Sequence, residues 1–232
     1  MRGRLFAVGD VHGCRDEMLR LLEALPLDET DQLVFLGDYV DRGPDSAGVV
    51  SELLAIAERW PRTVFLRGNH EDLLLDFLAD QPRYGDAFLQ NGGRATAASY
   101  GMRGQIAGTA MRGALPPAHR TFLERTRLFH RTRDVVCVHA GVRPGVPLAA
   151  QSVDDLLWIR EEFLGAPHGL DELVVFGHTP HRDIVTHLSG KLGIDTGCVY
   201  GGMLTAVELP TRVAYQIRRE HRTVVRRMLG DG

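Results

Sequence analysis

Gly9-Asp10-Val11-His12-Gly13, Gly37-Asp38-Tyr39-Val40-Asp41-Arg42-Gly43 and Gly68-Asn69-His70-Glu71 each follow an apolar run. They recur at roughly the thirty-residue spacing of successive strand–helix units. The pattern predicts strands over 4–8, 32–36 and 63–66, with amphipathic helices over 16–25, 45–59 and 71–79. A regular βαβαβα run forces parallel strands joined by right-handed crossovers. Polar chemistry then collects where an open α/β sheet places it, beyond the carboxyl ends of the strands.

The rhythm changes after residue 80. Residues 81–125 are rich in glycine and small side chains, which predicts a helical or irregular cap with a further helix over 118–125. The second half reads as strands over Val135–Val138, Leu173–Phe176, 184–188, 191–194, 204–209 and 212–217. Their short spacing and turns such as Ser189-Gly190 and Pro210-Thr211 predict mostly antiparallel hairpins. A parallel half and an antiparallel half suggest two sheets packed face to face with helices outside. No repeat or linker interrupts the chain, so residues 1–232 are read as a single domain.

The chain's 44% apolar and 25% charged residues, with a net charge of −3, are those of an ordinary globular protein. Nothing in that balance calls for nucleic acid or an acidic membrane surface. The C-terminal arginines 212, 218, 219, 222, 226 and 227 are interleaved with Tyr215 alone, which predicts a solvated strand edge and tail. Cys14, Cys137 and Cys198 lack paired spacing, so buried reduced thiols are expected. With no apolar run of membrane-spanning length and no secretory h-region, a soluble cytoplasmic chain is the expectation.

Asp10 and His12 are two residues apart just past a strand, so in extended chain both side chains can reach one metal. Asp38 ends the second strand, and its two oxygens can bridge two cations. Asn69 follows the third and offers a neutral carbonyl ligand. His139 in Val138-His139-Ala140-Gly141 and His178 in Gly177-His178-Thr179 end later apolar runs in the same way. A lone histidine at a strand end is ordinarily structural; this ordered set of Asp, Asn and His is not so explained. Such mixed donors suit manganese, iron or zinc better than calcium or magnesium alone.

In this order, the motifs resemble the phosphoprotein phosphatase branch of the calcineurin-like metallophosphoesterases, of bacterial serine/threonine phosphatase type. The resemblance covers residues 5 to about 202. It implies a four-layer α/β/β/α sandwich of two mixed β-sheets flanked by helices, and a dinuclear centre. Asp10, His12 and Asp38 would bind the first ion; Asp38 would bridge to the second, completed by Asn69, His139 and His178. Two cations about 3.5–4 Å apart would hold a shared water as hydroxide for in-line attack on phosphorus. By resemblance, Arg42 and Arg160 bind the phosphoryl oxygens, and His70 is the general acid with Asp41 as its orienting partner.

The implied activity is phosphomonoester hydrolysis with two divalent cations, manganese first and iron or zinc as alternatives. The substrate would be a phosphorylated protein or a small phosphoester. The rival is a symmetrical bis(5'-nucleosyl)-tetraphosphatase or broad-specificity phosphoesterase. Those tetraphosphatases characteristically lack the aspartate seen here as Asp41 and end the third motif in Asp rather than Glu71, yet the segment 195–202 resembles theirs. A catalytically dead scaffold would need a missing ligand, and none is missing. Asn91-Gly92-Gly93 with Thr96 and Tyr100 resembles a segment of bacterial members, and reads equally well as a turn or helix cap. His181 is read as a loop residue, and His119, His130, His168, His187 and His221 as structural.

Overall fold

The structure, a computed structural model, describes residues 3–79, 82–186 and 188–230. Strands β1 (Leu5–Val8), β2 (Gln32–Phe35) and β3 (Val64–Phe65) alternate with helices α1 (Arg15–Ala24), α2 (Ser46–Arg59) and α3 (Asn69–Phe77). The middle of the chain forms a wide turn over Leu89–Gly93, then α4 (Arg94–Ser99), α5 (Gly108–Ala114) and α6 (Pro117–Glu124). There follow β4 (Phe129–Arg131), β5 (Val135–Val138), α7 (Val153–Trp158), α8 (Glu161–Leu164), β6 (Leu173–Phe176) and β7 (Lys191–Gly193). The meander β8 (Met203–Leu209), β9 (Val213–Arg218) and β10 (Val224–Met228) closes the chain.

These strands make two mixed sheets, ordered β10-β9-β8-β1-β2-β3 and β4-β5-β6-β7. In the first, β1, β2 and β3 run parallel and β8 enters antiparallel to β1. In the second, β5, β6 and β7 are parallel and only β4 is reversed. Alternation along β1 explains the layering. Leu5 and Ala7 face a core shared with Val34, Leu36, Cys137, Val175 and Leu192, which fills the space between the sheets. Phe6 and Val8 face α1 and α2 through Met18, Leu21, Val49 and Leu53. The outer face of the second sheet packs Val136, Val138 and Phe176 on Leu156 and Phe163 of α7 and α8. β1, β5 and β6, covered on both faces, are apolar at every position, which is why they read as continuous runs.

The α/β/β/α sandwich therefore stands, with one correction. The antiparallel expectation holds for β8, β9 and β10 but fails for β5, β6 and β7, whose long connections are crossovers through α7, α8 and loops. Within the span read as a strand over 184–188, only Val185 pairs, as a single bridge to Gly193; His187 lies outside the described residues. Short β4, α7 and α8 were not anticipated: each is too brief to show a period.

Asp31 pins the start of β2. Its side chain, 2% exposed, accepts from Arg4 N at 2.7 Å, Arg4 Nη2 at 2.6 Å and Asp28 N at 3.0 Å. Burial works against its charge, but Arg4 and these N–H groups outweigh it and hold the carboxyl below its ordinary value. A depressed carboxyl stabilises the fold above its unfolded pKa and loses that contribution as pH falls through the folded one. Asp31→Ala is expected to cost about 1–3 kcal/mol in urea unfolding at pH 7. The penalty should shrink below about pH 4; one that stayed constant down to pH ~2 would contradict the assignment.

Candidate metal centre

The loops after β1, β2, β3, β5 and β6 meet at one edge of the sandwich. Backbone bonds lock the first two motifs together: Val11 N and His12 N donate to Asp38 O at 3.1 and 2.8 Å, and Gly13 N donates to Tyr39 O at 2.9 Å. Glu71, in the first turn of α3, secures the second motif to the third. Its buried carboxylate accepts from Asp38 N at 2.7 Å, Tyr39 N at 2.8 Å, Val40 N at 3.2 Å and Gly68 N at 2.9 Å. Burial, with the Asp38 charge, pushes its pKa up to about 7. Sequence reasoning used Glu71 only to separate relatives and missed this clamp.

Asp38 stands between two groups of donors. Its Oδ2 is 3.3 Å from His12 Nε2 and 4.0 Å from His70 Nε2, while its Oδ1 is 3.5 Å from His139 Nε2. Asn69 Oδ1 lies 2.9 Å from both His139 Nε2 and His178 Nδ1. The rings are oriented from behind: His12 Nδ1 donates to Val40 O at 2.8 Å, and His139 Nδ1 to Leu36 O at 3.0 Å. Each of these two rings then aims a bare Nε2 lone pair inward. Burial pushes His12 down to about 3 and lowers His139. Burial, with His139 and Arg160 nearby, pushes His178 down to about 2. At His139 a neutral Nε2 lone pair thus faces Asp38 and Asn69 oxygens, acceptor against acceptor, while His12 Nε2 faces Asp38 Oδ2 and also takes a bond from Arg42. That donor set fits divalent cations, which would be held with Asp38 shared between the two groups.

Asp10 links the two sheets at the site. Its carboxylate accepts His178 N at 3.0 Å, tying the first sheet to the second. Burial first, then the charges of Asp195 and Asp38, hold its pKa well above the ordinary value. A carboxylate so crowded by negative charge also calls for a cation. Glycines make the room: a Cβ on Gly177 would sit 2.1 Å from Asp10 Oδ1, and one on Gly68 would sit 2.1 Å from Asp38 Oδ1. The backbone is bent to aim these groups. His12, Asp38, Asp41, Arg42 and His178 have φ of 44°, 52°, 73°, 68° and 63°. Elsewhere among the described non-glycine residues only Arg212 and Glu220 are left-handed.

His70 packs its ring edge-on against His12, and its Nδ1 is 2.7 Å from Asp41 Oδ2, both side chains being buried. Burial opposes its protonation, but Asp38 and Asp41 outweigh it and raise its pKa. Arg42 Nη1 donates to His12 Nε2 at 2.6 Å, and its guanidinium lies 5.5 Å from the ring centroid of Tyr200, which is 62% exposed. Arg160 is exposed and donates to Thr179 Oγ1 at 3.2 Å, one residue beyond His178. Ligand atoms of His12, Asp38 and His70 form one close group and those of Asp38, His139 and His178 another; Asn69 touches the second, Asp10 holds His178 N, and Arg160 reaches the residue after His178. The fold adds Ser46, which carries no sequence signal, and gives a place to Asp195, Tyr200 and Thr96, which lie in segments noted above without a role at the site. His119 pairs instead with Tyr100 Oη at 2.8 Å, His130 with Gln32 at 3.1 Å and His168 with Gly190 O at 3.0 Å.

Parallel strands of two stacked sheets that deliver Asp, His and Asn to one edge, with arginines beside them, define a metal-dependent phosphoesterase. The chain belongs to the calcineurin-like phosphoesterase family, whose profile matches residues 3–203, and to its phosphoprotein phosphatase branch. It is a hydrolase acting on phosphoesters, in a family that uses divalent metal ions. Serine/threonine-protein phosphatase 1 of Salmonella typhimurium is 33% identical, with 88% of this chain and 91% of that protein covered. The asymmetrical bis(5'-nucleosyl)-tetraphosphatase PrpE of Anoxybacillus flavithermus is 27% identical, covering 88% and 89%. A crystal structure provisionally assigned as a diadenosine tetraphosphatase superposes with a TM-score of 0.71 at 26% identity, over 94% of this chain and 95% of that one. PrpE is described as asymmetrical, whereas the rival weighed from the motifs is the symmetrical kind. No described helix is long and apolar enough to cross a membrane.

Proposed function

We propose that this chain is a phosphomonoester hydrolase of the bacterial serine/threonine protein phosphatase type, its residues 1–232 forming one catalytic domain in the cytoplasm. Asp10, His12, Asp38, Asn69, His139 and His178 would hold two divalent cations, manganese first among the candidates. When bound, such a pair supplies Lewis-acid charge and lowers the pKa of water toward neutrality. Arg42 and Arg160 bind and orient the phosphoryl oxygens as planar, bidentate donors. His70 delivers the proton from Nε2 to the leaving oxygen, while Asp41 keeps Nδ1–H engaged and the ring fixed.

The observation that carries this reading is the buried 2.7 Å contact between His70 Nδ1 and Asp41 Oδ2. An alkoxide leaving from phosphoserine or phosphothreonine is strongly basic and needs a proton as the bond breaks. A nucleotide phosphate leaving from a dinucleoside tetraphosphate is weakly basic and does not. A preorganised acid dyad is therefore matched to alkyl monoesters. The greater identity to the Salmonella phosphatase points the same way. Cys14, Cys137 and Cys198 are free and buried, in keeping with a reducing compartment.

The second reading, a dinucleoside tetraphosphatase, draws support from the PrpE relatives and the matching crystal structure. Enzyme reconstituted with manganese is expected to release phosphate from a phosphoserine peptide faster than it cleaves diadenosine tetraphosphate, with a phosphotyrosine peptide as third substrate. Fast dinucleotide cleavage with little peptide turnover would overturn the first reading in favour of the second.

A further inference from the structure

The 91–96 segment approaches the site from outside the metal centre, and its contacts fall on the Asp41–Arg42 dipeptide. Gly92 O accepts from Arg42 N at 3.2 Å, and a Cβ on Gly92 would meet Arg42 Cγ at 2.7 Å. Thr96, in α4, has its Oγ1 2.6 Å from Asp41 Oδ1 and 2.8 Å from Asp41 N. Ser46, the first residue of α2, places its Oγ 3.0 Å from Thr96 Oγ1 and 3.0 Å from Asp41 N. Asp41, Ser46 and Thr96 are all 0% exposed.

Proton counting fixes the direction of this network. A carboxylate only accepts, so the short Thr96 contact is the threonine hydroxyl donating to Asp41 Oδ1. Thr96 has then spent its one proton, so the Ser46 hydroxyl donates to Thr96 Oγ1. The Asp41 N–H is left to serve both hydroxyl oxygens. Asp41 Oδ2 remains for His70. Both carboxylate oxygens are committed, and the plane of the group is set by Thr96 on one side and the imidazole on the other.

We infer that Thr96 is a positioning residue for the reaction: its hydroxyl, backed by Ser46, holds the Asp41 carboxylate in the plane that presents His70 to the leaving group. This rests on the reading of His70 as general acid. Removing the hydroxyl while keeping the side chain's shape frees one carboxylate oxygen in a site with no water-exposed alternative. Asp41 then rotates to satisfy it, and the His70 ring loses its aim. The effect falls on substrates whose leaving group needs the proton and spares those whose leaving group does not.

The test uses manganese-reconstituted enzyme with a phosphoserine peptide, whose alkoxide needs a proton, and p-nitrophenyl phosphate, whose phenolate leaves readily without one. Thr96→Val is expected to lower kcat on the peptide by about 10- to 100-fold, with kcat on the aryl ester within about threefold and metal content unchanged. Thr96→Ser should restore the peptide rate. Equal losses on both substrates, no loss on either, or failure of Thr96→Ser to rescue would overturn the inference. If Thr96→Val does not fold, Ser46→Ala reads the same split at smaller size, and its absence is equally fatal. His70→Asn separates the two layers of the argument. A peptide-selective loss in His70→Asn but none in Thr96→Val sinks the positioning role alone. No selectivity in His70→Asn sinks the general-acid reading beneath it.

Discussion

Asp38→Asn is expected to lower turnover of every phosphoester by more than about 10³-fold, because several kcal/mol of transition-state stabilisation depend on the cation pair and each ~1.4 kcal/mol is tenfold. Asp38 places one oxygen 3.3 Å from His12 Nε2 and the other 3.5 Å from His139 Nε2. An amide of the same shape keeps one carbonyl oxygen and turns an NH₂ group toward the other set of ligands, where it repels a cation. Bound manganese measured on the purified variant should fall, and poor and good leaving groups should suffer alike. Retention of two equivalents of metal, with turnover within tenfold of the parent, would remove Asp38 from the bridging role.

His70→Asn should behave differently. Metal content is expected to hold, since the proposed ligands are Asn69 and its partners, while His70 Nδ1 is engaged by Asp41. Turnover of phosphoserine peptide should drop by about 10²–10⁴-fold, the ordinary range for a positioned general acid. The loss should narrow as the leaving group becomes less basic, so a series of phosphate esters gives a steeper dependence on leaving-group pKa than the parent enzyme. A uniform loss across that series, or a near-parental rate on the alkyl ester, would assign His70 another role.

Much of the site could be read before the fold was known because metal-ligand chemistry confines itself to few residue types. Asp10, His12 and Asp38 lie in loops and Asn69 at the start of α3, each just after an unmistakable apolar run, and His139 and His178 repeat the pattern. Hidden from the sequence was how those loops are held. Glu71 accepts four backbone N–H groups that are adjacent only after folding. Thr96 reaches Asp41 across 55 positions of sequence, a separation no local pattern reports. The parallel run of β5, β6 and β7 was missed for a related reason. Turns such as Ser189-Gly190 argue for hairpins, yet the two-sheet core buries both faces of these strands, and the long links through loops and the brief helices α7 and α8 serve as crossovers.

The left-handed backbone at His12, Asp38, Asp41, Arg42 and His178 bears on what happens to such a chain once its chemistry is no longer needed. Each non-glycine residue in that region is destabilised by roughly 1–2 kcal/mol, against a folding stability of order 5–15 kcal/mol for a whole domain. Glycine adopts the same angles without that penalty. A duplicate gene relieved of selection for hydrolysis would therefore gain backbone stability by drifting to glycine at these positions, so loss of activity and relief of strain would advance together. The chain keeps aspartate, histidine and arginine there at the expense of a more relaxed backbone, and its active edge is the place where stability and function are most directly opposed.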